Sequence, residues 1–234
     1  MKIHTHLKWY VQLSTSQILN RPKAYFFYQK MLKEKLNIKS YDEISKKWDE
    51  IRSNSTINQC VVAFASLLKK NSYILDIGCG TGCPIDAYLA SNNFKILGID
   101  SSKEMIKIAK SKNITNAKFI NIDLFSFKSK RKFDAIIAFD SLWHINYSKQ
   151  EKIYKKLSLL IKDGGYLMFT CGKNDDERYG TMLNKKFYYA SLYKDEVVNL
   201  LSNNSFSIVC SFIDYVEKTT GSRDLLIVAR KKGQ

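Results

Sequence analysis

Tyr73-Ile-Leu-Asp-Ile-Gly-Cys-Gly-Thr-Gly82 is the stretch whose reading decides the fold. Tyr73 to Ile77 is an apolar-rich run long enough for a buried strand. Glycines then follow at alternate positions, Gly78, Gly80 and Gly82. Pro84 stands where the first turn of a helix tolerates a missing N–H. The stretch therefore reads as strand, tight turn, helix. Glycine suits such a turn because it takes backbone angles other residues avoid and lets a ligand lie on the main chain. A helix start adds free N–H groups for a polar or anionic ligand. A plain tight turn uses the same residues, so any ligand has to be argued from the neighbours.

Two ligand classes fit poorly. A P-loop ends Gly-Lys-Ser/Thr, and this turn ends Gly82-Cys83-Pro84. Pro84 also breaks the spacing of a G-x-G-x-x-G dinucleotide fingerprint. Asp76, two residues before the first glycine, would repel a pyrophosphate but not a cation. Asp76-Ile-Gly-Cys-Gly-Thr-Gly82 resembles, position by position, the first motif of the class I, Rossmann-like methyltransferases that use S-adenosylmethionine (SAM). The resemblance covers about residues 40–230. It implies that Asp76, Gly78, Cys79, Gly80 and Gly82 hold the methionine part of SAM, whose sulfonium and ammonium are positive.

Downstream, Phe94 to Asp100 reads as a second strand ending in an acid, 24 residues after Asp76. That distance fits one strand-helix-strand unit with a ribose-binding acid. Asp100 either accepts bonds from both ribose hydroxyls or caps the next helix, a task Ser101 or Ser102 can also do. Asp100→Ala is thus expected to weaken SAM binding and leave the fold intact. The resemblance implies Ser101 beside the cofactor and Met105 against the adenine; core packing is the other reading of Met105. Ala117 to Asn121 is a third strand, followed by Asp123 and Leu124. By resemblance Asp123 accepts the adenine amino group, and the next backbone N–H, that of Leu124, reaches a ring nitrogen. Acids at three consecutive strand ends suit a ligand on the carboxyl edge of an open α/β sheet.

Phe133 to Ser141 is apolar, as a central parallel strand should be, and runs into Asp140-Ser-Leu-Trp-His144. Amino-methyltransferases of nucleic acids carry Asn/Asp-Pro-Pro-aromatic here; this chain has no proline at the turn and resembles the small-molecule branch. Phe139 and Asp140 are then expected to line the methyl-transfer centre. His144 is either a general base, with an intrinsic pKa near neutrality, or a buried structural histidine. Lys149 to Ile161 reads as a helix ended by Lys162-Asp-Gly-Gly165, and Tyr166 to Cys171 as the fifth strand. Gly172 to Tyr189 lacks periodicity and reads as a lid or substrate loop, with Tyr188 and Tyr189 facing either substrate or core. After a helix at Lys194 to Leu201, Phe206 to Val216 and Leu225 to Arg230 form a closing antiparallel hairpin.

Upstream, residues 1–40 carry eight basic residues and one acid, Glu34. Ala24 to Leu36 has helical spacing, with Phe27, Met31 and Leu32 on one side. A basic amphipathic helix lies on a membrane surface, a partner or its own domain. Met31 would also serve as a start, making residues 1–30 an extension. Ser40 to Lys70 reads as two helices. Ser40 or Asp42 caps the first, and Asn54 or Ser55 caps the second, which buries Ile57, Val61, Phe64, Ala65 and Leu68. By resemblance this region folds over the cofactor, with Arg52 near the methionine carboxylate; a solvent-exposed helix-end arginine is the alternative.

Composition bounds the rest. The 234 residues, 45% of them apolar, suit one globular domain. No run of about 18 apolar residues is present, and the N-terminus lacks a secretory h-region. Five scattered cysteines without a CxxC pair read as reduced, cytoplasmic thiols rather than disulfides or zinc ligands. The net charge of +16 invites a nucleic-acid partner, but the lysines are spread as on solvated faces. By resemblance the expected fold is a doubly wound α/β sheet of seven mostly parallel strands, order 3-2-1-4-5-7-6, the last antiparallel, with N-terminal helices. Residues 1–39 are expected as a basic helical extension and 40–234 as the methyltransferase domain, a monomer or homodimer. The expected reaction moves the methyl group of SAM to an O, N or S atom of a small molecule, leaving S-adenosylhomocysteine, without a metal. An RNA methyltransferase, a SAM-binding protein without turnover and a nicotinamide oxidoreductase are the alternatives.

Overall fold

The computed structural model describes residues 22–218 and 220–233, with side chains described from Leu32 onward. Most of the expected basic extension, residues 1–21, lies outside the described residues. Helix α1 (Pro22–Ser53) runs unbroken through 32 residues. The expected caps Ser40 and Asp42 therefore sit inside a helix. Their side chains reach other elements instead: Ser40 Oγ donates to the Lys186 carbonyl at 2.6 Å, and Asp42 Oδ1 accepts from Ser102 Oγ at 2.6 Å and the Glu104 N–H at 3.1 Å. Helix α2 (Gln59–Ser66) starts after Asn58 rather than Asn54 or Ser55, and buries Val61, Phe64 and Ala65.

The glycine stretch folds as expected into β1 (Tyr73–Ile77), a turn, and α3 (Ile85–Ser91). There follow β2 (Lys95–Asp100), α4 (Lys103–Ser111), β3 (Ala117–Asn121), β4 (Phe133–Ala138), α5 (Gln150–Leu160) and β5 (Ile161–Cys171). Next come β6 (Asp176–Met182), β7 (Lys185–Ser191), α6 (Lys194–Asn203), β8 (Phe206–Glu217) and β9 (Gly221–Lys231). The main sheet has the order β3-β2-β1-β4-β5-β9-β8. Strands β1 to β5 run parallel; β9 is antiparallel to β5 and β8 antiparallel to β9. This is the expected seven-stranded order, with the closing hairpin labelled β8 and β9.

Strand alternation splits the core in two, because successive side chains leave opposite faces. Leu75, Ile77, Ile136, Leu167, Phe169 and Ile227 join one cluster with α5 and α6. Ile74, Ile96, Ala135, Ile137, Met168 and Leu226 join the other with α2 and α3.

Two local expectations change. No glycine cap ends α5: the chain becomes extended at Ile161, and Lys162 to Gly165 bulge into β5, where pairing with β4 shifts from Phe133–Ile161 to Ala135–Tyr166. The segment expected to be a loop holds the β6–β7 hairpin. Its two-residue turn is Leu183-Asn184, with φ of 48° and 60°, rather than the usual Asn-Gly, so the turn signal was missing. All five cysteines are free thiols. No helix among the described residues is long and apolar enough to cross a membrane.

Candidate functional site

The carboxyl ends of β1, β2 and β4 and the loop after β3 open into a cavity of about 280 Å³. Asp76, Gly78, Cys79, Gly80, Asp100, Ser101, Met105, Asp123, Leu124, Phe139, Asp140, His144 and Arg52 all line it. Gly82 and Tyr188 do not.

The turn is built around the main chain. Gly78 has φ 77°, and a Cβ there would come within 2.4 Å of Ser141 Cβ, so no side chain fits. Ser141 Oγ in turn donates to the Ile77 carbonyl at 2.7 Å. Gly82 has φ 78° and lies against the Phe119 ring, 2.9 Å from where its Cβ would stand; it serves packing rather than the cavity. The glycines were expected to let a ligand lie on the main chain, but the turn's own N–H groups do not face one. Instead Gly78 and Cys79 donate to the Ile99 carbonyl at 2.8 and 3.1 Å, Gly80 to Asp100 Oδ2 at 3.0 Å, and Gly82 to the Cys79 carbonyl. With these donors committed inside the fold, they offer nothing to a pyrophosphate.

Asp100 has both readings at once. Its Oδ2 accepts from Gly80 and its Oδ1 from the Ser102 N–H at 2.8 Å, yet its carboxylate lines the cavity. Ser102 Oγ caps α4 by accepting from the Met105 N–H. Removal from water raises the Asp100 pKa above the usual range. The expectation that its loss would spare the fold is therefore revised, because it braces the turn. Asp123 Oδ1 accepts from the Phe125 and Ser126 N–H groups at 2.9 and 3.0 Å; burial works against the ionised carboxylate, but the Ser126 and Phe125 hydrogen bonds outweigh it and hold the pKa low. Met105, also in the core reading, packs with Ile44 and Phe187 beneath the cavity rim.

One wall comes from α1. Asn37, Tyr41, Trp48 and Arg52 all line the cavity from this helix. Trp48 Nε1 stands 3.5 Å from where a Gly80 Cβ would be, so the indole lies on the glycine turn. Arg52 packs on the Trp48 ring, 5.7 Å from its centroid, and has no carboxylate partner among the described residues. Burial lowers its pKa, which Asp140 opposes. Asn37 and Tyr41 were not singled out from sequence. Their signal was the spacing 37, 41, 48, 52, one face of a helix, which a break at Ser40 conceals.

His144 is enclosed by the rings of Tyr41, Trp143, Phe187 and Tyr189. Its Nδ1 lies 3.0 Å from the Tyr188 carbonyl, which requires the proton on Nδ1; its Nε2 then accepts from the Tyr41 hydroxyl at 2.8 Å and Trp143 Nε1 at 3.2 Å. Loss of water pushes its pKa down to about 4 and raises that of Tyr41. Asn37 clamps this corner, donating to the Tyr188 and His144 carbonyls and accepting from the Tyr188 N–H.

Of its two readings, substrate or core, Tyr188 takes the core one and stays out of the cavity. In β7 alternate side chains part company: Phe187 and Tyr189 meet His144, while the fully buried Tyr188 accepts from the Tyr147 N–H and donates to Glu177. Tyr189 lines a smaller cavity of about 160 Å³ with Trp143, Arg178 and Asp224. Between the two cavities Asp140 takes a two-pronged ion pair from Arg223, at 3.2 and 2.9 Å, and Arg223 also stacks on Phe139.

This is the layout of a ligand site at the strand ends of a doubly wound sheet, and residues 74–165 match the family described as a methyltransferase domain. An uncharacterised protein of Methanocaldococcus jannaschii is 32% identical over 140 residues, 59% of this chain and 53% of its own length. The ubiquinone biosynthesis O-methyltransferase of Coxiella burnetii is 29% identical over 131 residues, 53% of this chain and 54% of its own. The chain thus spans about half the length of these curated relatives. Magnesium protoporphyrin IX methyltransferase of Synechocystis, solved with S-adenosylhomocysteine, shares the fold with a TM-score of 0.63 at 18% identity, over 86% of this chain and 98% of that one.

Proposed function

We propose that the chain binds SAM in the larger cavity and transfers its methyl group to a heteroatom of a small molecule. The observation that carries this reading is the charge layout of one cavity. Asp76, Asp100 and Asp123 stand at three strand ends, and Arg52, without a carboxylate partner, faces them from α1. Acids with a single unpaired guanidinium suit an amino-acid zwitterion attached to a nucleoside: carboxylate to Arg52, ammonium toward Asp76, ribose to Asp100, adenine amino group to Asp123. The committed N–H groups of the turn argue against the dinucleotide alternative. Two names support the reading, those of the Coxiella O-methyltransferase and the Synechocystis enzyme solved with S-adenosylhomocysteine.

SAM supplies a methyl group already activated by its positive sulfur, so the protein's part is alignment and exclusion of water. Phe139, Asp140 and Tyr41 form the wall toward the acceptor. His144 is a poor base here: both ring nitrogens are engaged, and its environment disfavours the protonated ring. The acceptor therefore arrives with its lone pair available, as a neutral amine or an already ionised oxygen or sulfur. Incubating the protein with methyl-labelled SAM and a metabolite extract, followed by mass spectrometry, tests this. A labelled small product is expected. Thermal protection by NAD(P) and none by SAM would overturn it.

A further inference from the structure

A second carboxyl group lies beneath the glycine turn, out of the cavity. Asp86, at the start of α3, is fully buried, and among the described residues no N–H, hydroxyl or cation donates to either of its oxygens. Asp76, only 3% exposed, lies against it, and Asp76 alone of the two lines the cavity. The titratable groups facing this pair offer no compensation: Asp100 from β2 faces Asp76, and the thiols of Cys79 and Cys83 on the turn face Asp86. A carboxylate shut away from bulk solvent and given no donor or cation takes up a proton instead of keeping its charge. Two carboxyls in contact cannot both ionise, and they hold a proton between them.

We propose that Asp86 is kept as a neutral carboxylic acid whose O–H donates to Asp76, so that Asp76 presents one oriented negative charge to the cavity. Asp86 is thus a positioning residue for whatever cation the cavity takes. Burial acts in the same direction on both groups, raising Asp76 to about 7 and Asp86 well above the carboxylate range. Near neutral pH the ligand-free pair is then divided between two protons and one. A cation over Asp76 selects the one-proton state, so its binding releases a proton, and below about pH 7 its affinity falls up to tenfold per pH unit.

The first test needs no ligand. Carboxyl-13C NMR of aspartate-labelled protein, assigned by difference with Asp86→Asn, is expected to show Asp86 at its protonated position up to about pH 8 while Asp76 titrates near neutrality. An Asp86 resonance at the carboxylate position at about pH 7 overturns the proposal. Should Asp86→Asn not fold, the infrared band of a buried protonated carboxyl in the parent carries the same test, and its absence at about pH 8 has the same force. The second test rests on the SAM reading above. Calorimetry with SAM at about pH 6, in buffers of different ionisation heat, is expected to show proton release. Asp86→Leu, which removes the donor, is expected to weaken SAM about tenfold or more, and Asp86→Asn, which restores one, to recover most of that. SAM binding without proton release overturns the coupling. No SAM binding at any pH, with Asp86 protonated by NMR, removes the cofactor reading and leaves the acid pair standing.

Discussion

Replacing Asp100 by alanine should damage the turn and the ligand site together, by amounts that can be measured apart. In the ligand-free fold Asp100 accepts the N–H of Gly80 at 3.0 Å and of Ser102 at 2.8 Å. Hydrogen bonds to a charged group contribute about 1.5–3 kcal/mol each. Removing a carboxylate that burial already disfavours gives part of this back. The net cost is about 2–4 kcal/mol, or roughly 5–12 °C in melting temperature for a domain of this size. On the proposed ribose assignment, two hydroxyls bonded to the same carboxylate would add about 3–6 kcal/mol to binding, so their loss would cost roughly 10²–10⁴ in affinity. Denaturant unfolding gives the first quantity and calorimetry with S-adenosylhomocysteine the second. Asp100→Asn keeps one acceptor oxygen and should fall between alanine and parent in both. A variant that melts like the parent would show that the two turn bonds contribute nothing. A stable alanine variant with parental affinity would remove the ribose assignment.

Gly78→Ala places a Cβ 2.4 Å from Ser141 Cβ at a φ of 77°; it should cost about 3 kcal/mol or more, and parental urea unfolding would mean the turn relaxes freely. Arg223→Met leaves Asp140 without its partner in a pair whose side chains are 5% and 28% exposed; a loss of about 3 kcal/mol is expected, mostly recovered in the double variant with Asp140→Asn, and additive losses would contradict the pairing. Glu217 accepts from Asn58, Cys60, Tyr215 and Thr220, and these donors outweigh its burial, holding its pKa at about 2. This lowered pKa adds stability above the unfolded value near 4.5 that disappears as pH falls toward 2, so Glu217→Gln should flatten the acid limb of a stability–pH curve; an unchanged limb would assign it elsewhere. With His144 held down at about 4, the pH–rate profile should show no histidine limb between about pH 5.5 and 7, and a limb there that disappears in His144→Gln would restore the base role.

The cavity edge was legible because its determinants are local. A strand, a glycine turn and a helix lie within 19 residues, Tyr73 to Ser91, and strand ends carrying Asp100 and Asp123 follow at the spacing of one repeat unit. Pairing then brings those ends together in parallel whatever the rest does. The closing hairpin was legible for the same reason. The β6–β7 hairpin was not, since Leu183-Asn184 lacks the usual turn residues and β6 is polar. Without that hairpin's register, Tyr188 and Tyr189 could not be assigned to opposite faces.

Glycine and acid spacing along the chain sufficed for a succession of strands with acids at their ends, and the family resemblance implied the order in which those strands pair. Tertiary packing alone decided the rest: that α1 lays Trp48 on the turn and Tyr41 on His144, that His144 loses its water among four rings, and that Arg223, 83 residues away, neutralises Asp140. Those are contacts between elements, and their energies come from desolvation and close fit, neither of which exists until the surfaces have met.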